Sequence, residues 1–270
     1  MSRSQPNRRR LLQVRVPVSP LQALVSSIGI WVVFFGGWIL ATSMGWVNPI
    51  LVPSPEKVFR SIYVLFADQG FANDVLISVA RVLFAFALAC VVAVPAGVAM
   101  GAFPAIDAVL APFVSAWRYL PAPSFIPILL MWFGTGEEPK IALLFLGVIF
   151  FLITLIADHT KDVRKELIET AMTLGAGRWI TVFQVMLPAV LPNILVAMRQ
   201  MLAVVWTYLV IAEIVASTTG IGAMMMRARR FLHTDQIMAG IIVIGVLGLV
   251  FDRLFALLHR RLFPYLQESR

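Results

Sequence analysis

An all-α membrane protein with six transmembrane helices is the fold class this sequence predicts, and two observations carry it. Of the 270 residues, 60% are hydrophobic and 13% charged, with a mean hydropathy of +0.89, far from the balance of soluble domains. Continuous apolar runs then recur at residues 22–43, 76–101, 108–133, 139–157, 194–216 and 237–258. Each is close to the 20 or so residues a helix needs to cross a bilayer core, whereas strands of a membrane barrel alternate over about 10 residues. Six spans and their loops leave no room for a sizeable soluble enzyme domain.

The elements follow in order. Residues 1–20 are a basic tail with Arg3, Arg8, Arg9, Arg10 and Arg15. The run over 21–44 exceeds the roughly 7–15 apolar residues of a signal peptide and precedes five more spans, so a retained anchor is expected. Trp46, just past it, is placed as an interfacial anchor. VPSPEKVFRSIYVLFAD (52–68) opens with two prolines and carries Val58, Ile62 and Leu65 at helical spacing, the pattern of an amphipathic surface helix. Gly97 and Gly101 in span 2 form a G-x-x-x-G pair that admits a close helix, as ordinary packing or as a dimer face. Cys90 is the single cysteine, which excludes a disulfide framework or zinc cluster within the chain.

In span 3, WRYLPAPSFIP (117–127) has the prolines to interrupt a helix, and irregular backbone at membrane depth belongs beside a cavity. Tyr119 and Ser124 are therefore candidate path-lining residues. Arg118 lies well inside the same span, and Arg199 a turn or two into span 5. A charge at such depth is expensive unless paired or functional. Two arginines facing a cavity would favour an anion; otherwise Arg199 snorkels to the surface and Arg118 bonds carbonyls freed by Pro121, Pro123 and Pro127. Glu213, late in span 5, is expected to pair with Arg81 or Arg227.

Lys and Arg favour the cytosolic side. The tail arginines, Lys161, Arg164, Lys165 and Arg178 after span 4, and Arg260, Arg261 and Arg270 at the other terminus share one side, so both termini are expected in the cytosol. The net charge of +8 reads as topology signal and lipid contact, not nucleic-acid binding. His159, His233 and His259 lack metal-ligand spacing. Met224, Met225 and Met226, beside Arg227, Arg229 and Arg230, form a flexible apolar patch with no Cys or His close by, so no metal site is expected.

DVRKELIETAMTLGAGRW (162–179) is the longest polar segment between spans after the tail. Asp162 can cap a helix with Glu166 in its first turn, and Leu167, Ile168, Ala171, Met172 and Leu174 give it an apolar side. Gly175 can take the left-handed conformation that ends it, Arg178 to Met186 restarts a second helix, and Pro188 stops that one. A short helix bounded by a sharp turn is shaped to dock into a groove or to lie on lipid.

Glu169, Ala171, Gly175, Val185, Leu187 and Pro188 resemble the pattern E-A-A-x3-G-x9-I-x-L-P of binding-protein-dependent ABC importer permeases, with Thr170 in place of the second residue and Val185 in place of Ile. LVPSPEKV, ISVARVLFAFALACVVAVPAGVAMG and LPAPSFIPILLMWFGTGEEPK are similar to the nitrate, sulfonate, taurine and bicarbonate group, and the likeness spans about residues 20–264. The resemblance implies a type I ABC importer permease fold in a bacterial inner membrane, with a permease domain over 21–264, a coupling loop over 159–190 and a cytosolic tail over 265–270. Glu169, Thr170, Ala171, Gly175, Leu187 and Pro188 would serve ATPase coupling. It implies a second permease subunit as a homodimer, two ATP-binding subunits and an external substrate-binding protein. No G-x-x-x-x-G-K-[ST] occurs, so ATP and Mg belong on the partner ATPase, and no residue is expected to be catalytic. A secondary transporter would show inverted repeats and a membrane enzyme converging nucleophiles or bases; neither is visible.

Overall fold

The computed structural model describes residues 19–266 and divides the chain into two compact units, Met1–Arg60 and Ser61–Arg270. The tail arginines and Arg270 lie outside the described residues. In the first unit, α1 (Pro20–Ser43) starts at Ser19, whose Oγ accepts from Gln22 N at 3.3 Å, and proline follows the cap. The helix carries no charge, and Trp31, Phe34, Phe35 and Trp38 stack along it. Trp38 Nε1 donates to the Pro53 carbonyl at 3.0 Å, folding the following loop back onto the helix. Next, α2 (Pro55–Asp68) crosses the boundary between the units. Its predicted apolar face holds, with Val58 and Leu65 buried.

Among its described residues, the second unit has only helical regular elements. It comprises α3 (Phe71–Ala102), α4 (Pro104–Arg118), a 3₁₀ turn (Ala122–Phe125), α5 (Ile126–Phe133), α6 (Glu138–Lys161), α7 (Lys165–Thr173), α8 (Arg178–Ile180), a π turn (Thr181–Met186), α9 (Leu187–Ala216), α10 (Ile221–Arg230), α11 (Thr234–Leu262) and a last 3₁₀ turn (Pro264–Leu266). Its core is where α3, α6 and α9 meet. Ala85, Ala89, Ala93, Gly97 and Gly101 recur every fourth residue of α3, one stripe of a helix with 3.6 residues per turn, with Gly97 against Ile153 and Ile156 of α6 and Gly101 against Ala157 and Thr160. A Cβ at Gly97 would stand 2.7 Å from Ile156 Cβ, and one at Gly101 2.7 Å from the Ala157 carbonyl. The glycine pair thus serves packing within the chain, since small residues let helix backbones approach closely without a hydrophobic drive between them.

Five helices among the described residues are long and apolar enough to span a membrane, and Ala122–Phe133 is a shorter apolar piece. The third expected span is broken, because prolines at 121, 123 and 127 remove the amide hydrogens that a continuous helix needs. Two further expectations change. Asp162 does not cap α7; its N–H closes α6 on the Asp158 carbonyl, and Arg164 precedes α7 with no side-chain cap. Pro188 does not end a second helix; α8, the π turn and α9 are continuous and form one span from Arg178 to Val215. The π turn explains this. Leu187 N bonds Val182 O, five residues back, and the wider turn spares the clash between a proline ring and the carbonyl four residues before it.

Candidate coupling helix and transport path

No residue of α7 is buried. Thr170 Oγ1 donates to Glu166 O at 2.6 Å and Thr173 Oγ1 to Glu169 O at 2.8 Å, so its hydroxyls are spent on the helix itself. Gly175 sits at φ +86°. Its N–H meets Met172 O, and Ala176 N–H meets Ala171 O, each at 3.0 Å, the paired 5→2 and 6→1 bonds of a Schellman end. The predicted apolar side divides in two. Ile168 packs against the core, whereas Leu167, Met172 and Leu174 are exposed, Leu174 to 83%. Trp179, Ile180 and Phe183 are exposed beside them. Large apolar side chains gathered at a polar helix end mark an interaction surface.

Of the six coupling candidates, Glu169, Thr170, Ala171 and Gly175 belong to this helix and its turn. Leu187 and Pro188 lie beyond the π turn, and Leu187 packs against the core.

At the other end of the bundle, Asp74, Ser78 and Arg81 lie on one face of α3 and hold the loop between α9 and α10. Arg81 uses all five donors: Nε and one Nη to Glu137 (2.5 and 2.7 Å), the other Nη to Glu213 (2.7 Å), and the remaining hydrogens to the carbonyl and hydroxyl of Thr219, both at 2.9 Å. Glu213, 0% exposed, also accepts from Ser78 Oγ (2.6 Å) and Gly222 N (2.8 Å). A buried ion pair is tolerable when its remaining lone pairs and protons are met, and here they are. Of the two expected partners of Glu213, Arg81 is the one it takes. Arg227 pairs instead with Asp74 at 2.7 Å. Gly220 has φ +103°, and a Cβ there would be 2.6 Å from an Arg81 Nη, so only glycine fits the loop over the pair. Outside the spans, the hydrogen bond from Arg81, joined by one from Lys140 and opposed by partial burial, pushes the Glu137 carboxyl down to about 2.

The four path candidates fall in two places. Arg118 closes α4, its guanidinium 5.6 Å from the Tyr119 ring centroid. Tyr119 is 78% exposed, Ser124 is exposed in the 3₁₀ turn, and Trp117 stacks between Phe125 and Phe150 at 5.7 and 5.4 Å. Arg199 is bound elsewhere, bidentate to Asp252 of α11 at 2.5 and 2.6 Å. That pairing replaces snorkelling as its account. Glu137, Asp74 and Asp252 were missed by sequence reasoning. An acid in an otherwise apolar run was the available signal for Asp252, and Glu137 and Asp74 had none.

Residues 91–264 match the family described as binding-protein-dependent transport system inner membrane component. The chain is 33% identical to the taurine transport system permease protein TauC of Escherichia coli (strain K12), over 95% of this chain and 94% of that one. It is 30% identical to the putative aliphatic sulfonates transport permease protein SsuC of Bacillus subtilis (strain 168), over 84% and 83%. Its fold is similar to that of the MetNI methionine ABC transporter in an inward-facing conformation, with a TM-score of 0.63 and 19% identity over 71% of this chain and 95% of that one.

Proposed function

Because the chain belongs to the family of binding-protein-dependent transport system inner membrane components, we propose that α7 is where ATP-driven work enters it and that its cargo is a small anion of the sulfonate type. The chain is a permease subunit of an ABC importer and not an enzyme; ATP is hydrolysed on a separate subunit. The observation that carries the coupling role is the nine-residue α7, unburied along its whole length and ended by Gly175 in the left-handed conformation. Glu169 offers its carboxylate to the ATP-binding subunit and Thr170 the acceptor side of its helix-bonded hydroxyl, Ala171 a close approach, and Met172 and Leu174 the apolar area. ATP and Mg sit on that subunit.

In this reading α7 faces the cytosol, both termini lie on its side of the inner membrane, and the Arg81 cluster faces the external binding protein. Residues 21–264 form the transport domain, and two copies of the chain with two ATP-binding subunits make the importer. ATP binding draws the two α7 helices together and opens the path outward; hydrolysis returns it inward. Each ligand shifts that balance only by its differential affinity for the two states. The sulfonate cargo rests on the names of the relatives and on Arg118, whose guanidinium lies over the Tyr119 ring.

The test is co-purification from a membrane extract with the ATP-binding subunit encoded beside this chain, wild type against Gly175→Val. A β-branched residue is strained at positive φ, so the wild type is expected to capture the subunit and support its stimulated ATPase, and the variant to lose both. Wild type that binds no ATP-binding subunit overturns the reading.

A further inference from the structure

A groove runs between α9 and α11. Its half nearer α7 is a cavity of about 620 Å³ lined by Pro192, Val196, Arg199, Phe255 and His259 among others. Its other half, about 670 Å³, is lined by Ala203, Trp206, Thr207, Gly245, Gly248 and Asp252 among others. Arg199 faces the first half and Asp252 the second, and their bidentate pair crosses the groove between them. Asp252 lies inside the apolar run 237–258, about 9 Å from its end, and its partner Arg199 a turn or two into the facing span. Yet the two side chains are 41% and 39% exposed. Charges at that depth do not face lipid tails; they line a water-filled path or a polar contact. A second observation lies in the same groove. Trp206 and Thr207 line the half that Asp252 faces, and the indole Nε1, buried behind that wall, has no acceptor among the described residues.

The Arg199 fork grips two oxygens of one planar group, the geometry that suits carboxylates and, through the same two-oxygen edge, other oxyanions. Asp252 fills that edge in this structure. Resting on the anion reading above, we propose that the Arg199–Asp252 pair is an exchangeable bar on the transport path. A small sulfonate takes the carboxylate's place on Arg199 as it passes from one half of the groove to the other, with the Thr207 hydroxyl as a neighbouring donor, and Asp252 then restores the bar. Asp252 is thereby a specificity-determining residue: it keeps Arg199 from holding any one anion too long.

The experiment uses the full importer, this chain with its ATP-binding subunit and binding protein, in proteoliposomes, with taurine as probe. Arg199→Gln is expected to cut ATP-dependent uptake at least tenfold while the ATP-binding subunit still co-purifies. Asp252→Asn is expected to tighten taurine binding to the purified assembly without binding protein about tenfold, the removal of one competing charge-assisted contact, and to slow uptake. The double variant Arg199→Met/Asp252→Met separates a site from a brace, because replacing both members of a structural pair by apolar residues is close to neutral. Uptake at the wild-type rate in that variant overturns the proposal, as does an Asp252→Asn protein that binds taurine no better than wild type. Failure of the wild type to import taurine, ethanesulfonate or bicarbonate is a different result, read before any variant; it overturns the anion reading and the bar with it.

Discussion

At the end of the bundle that carries Arg81, charged side chains of α3, α6 and α9 meet, and the guanidinium donates to two carboxylates and a backbone carbonyl. At the end that carries α7, nine residues have no buried member, and large apolar side chains stand uncovered. The first arrangement is complete within one chain; the second leaves its apolar side chains uncovered in this chain. Stability and function should therefore separate between the two ends, and substitutions can test how far.

The largest effect is expected at the closed end. Glu213→Ala breaks a buried ion pair and leaves an Arg81 Nη, Ser78 Oγ and Gly222 N without their acceptor while Glu137 still holds the other side of the guanidinium, a loss of about 3 kcal/mol, read as a large drop in the melting temperature of the detergent-solubilised protein. Arg81→Lys alone should also lower the melting temperature, because one ammonium cannot reach both carboxylates in the fork geometry. An unchanged melting temperature would break the comparison.

At the open end, Gly175→Val imposes a left-handed strain of about 1–2 kcal/mol on a local turn. A small shift of the global transition is expected beside a loss of ATPase stimulation.

A pH titration sharpens the contrast further. Glu137 has its folded carboxyl held near 2, against an ordinary 4.5, so the folded state binds fewer protons than the unfolded one. Its contribution is fully present above about 4.5 and is lost as pH falls through the window toward 2. Thermal melts across the acid side should show this component in wild type and not in Glu137→Gln, and because the side chain is half exposed the difference should be modest.

Smallest of all, Leu174→Ser should leave the stability within about 0.5 kcal/mol of wild type, as exposed positions do, while capture of the ATP-binding subunit weakens.

What could be read from the sequence follows the range of each interaction. The apolar spans and the Gly175 turn are local signals, and they appear where expected; even the interruption at 117–127 was marked by its prolines. The Arg81 cluster joins residues 56 to 138 positions apart, and only the Glu213 pairing could be named as one of two options, because a charge in an apolar span must find some partner. Glu137 in a loop needs none, so nothing singled it out. Pro188 misled for the opposite reason: a proline is a strong local stop, and the π turn that accommodates it depends on the packing of Val182 and Met186 in the core.

The stripe of alanine and glycine along α3 has a mechanical meaning. Where an Ile156 methyl and a backbone carbonyl occupy the space of an absent Cβ, one helix cannot slide or roll on the other without collision, so α3 and α6 form a single stiff plate. Relative displacement is left to the joints outside it: the π turn, Pro192 in the first turns of α9, and the loosely filled seam between α9 and α11. A push received at α7 would travel through the plate undistorted and be converted to movement at that seam, where the Arg199–Asp252 bar lies.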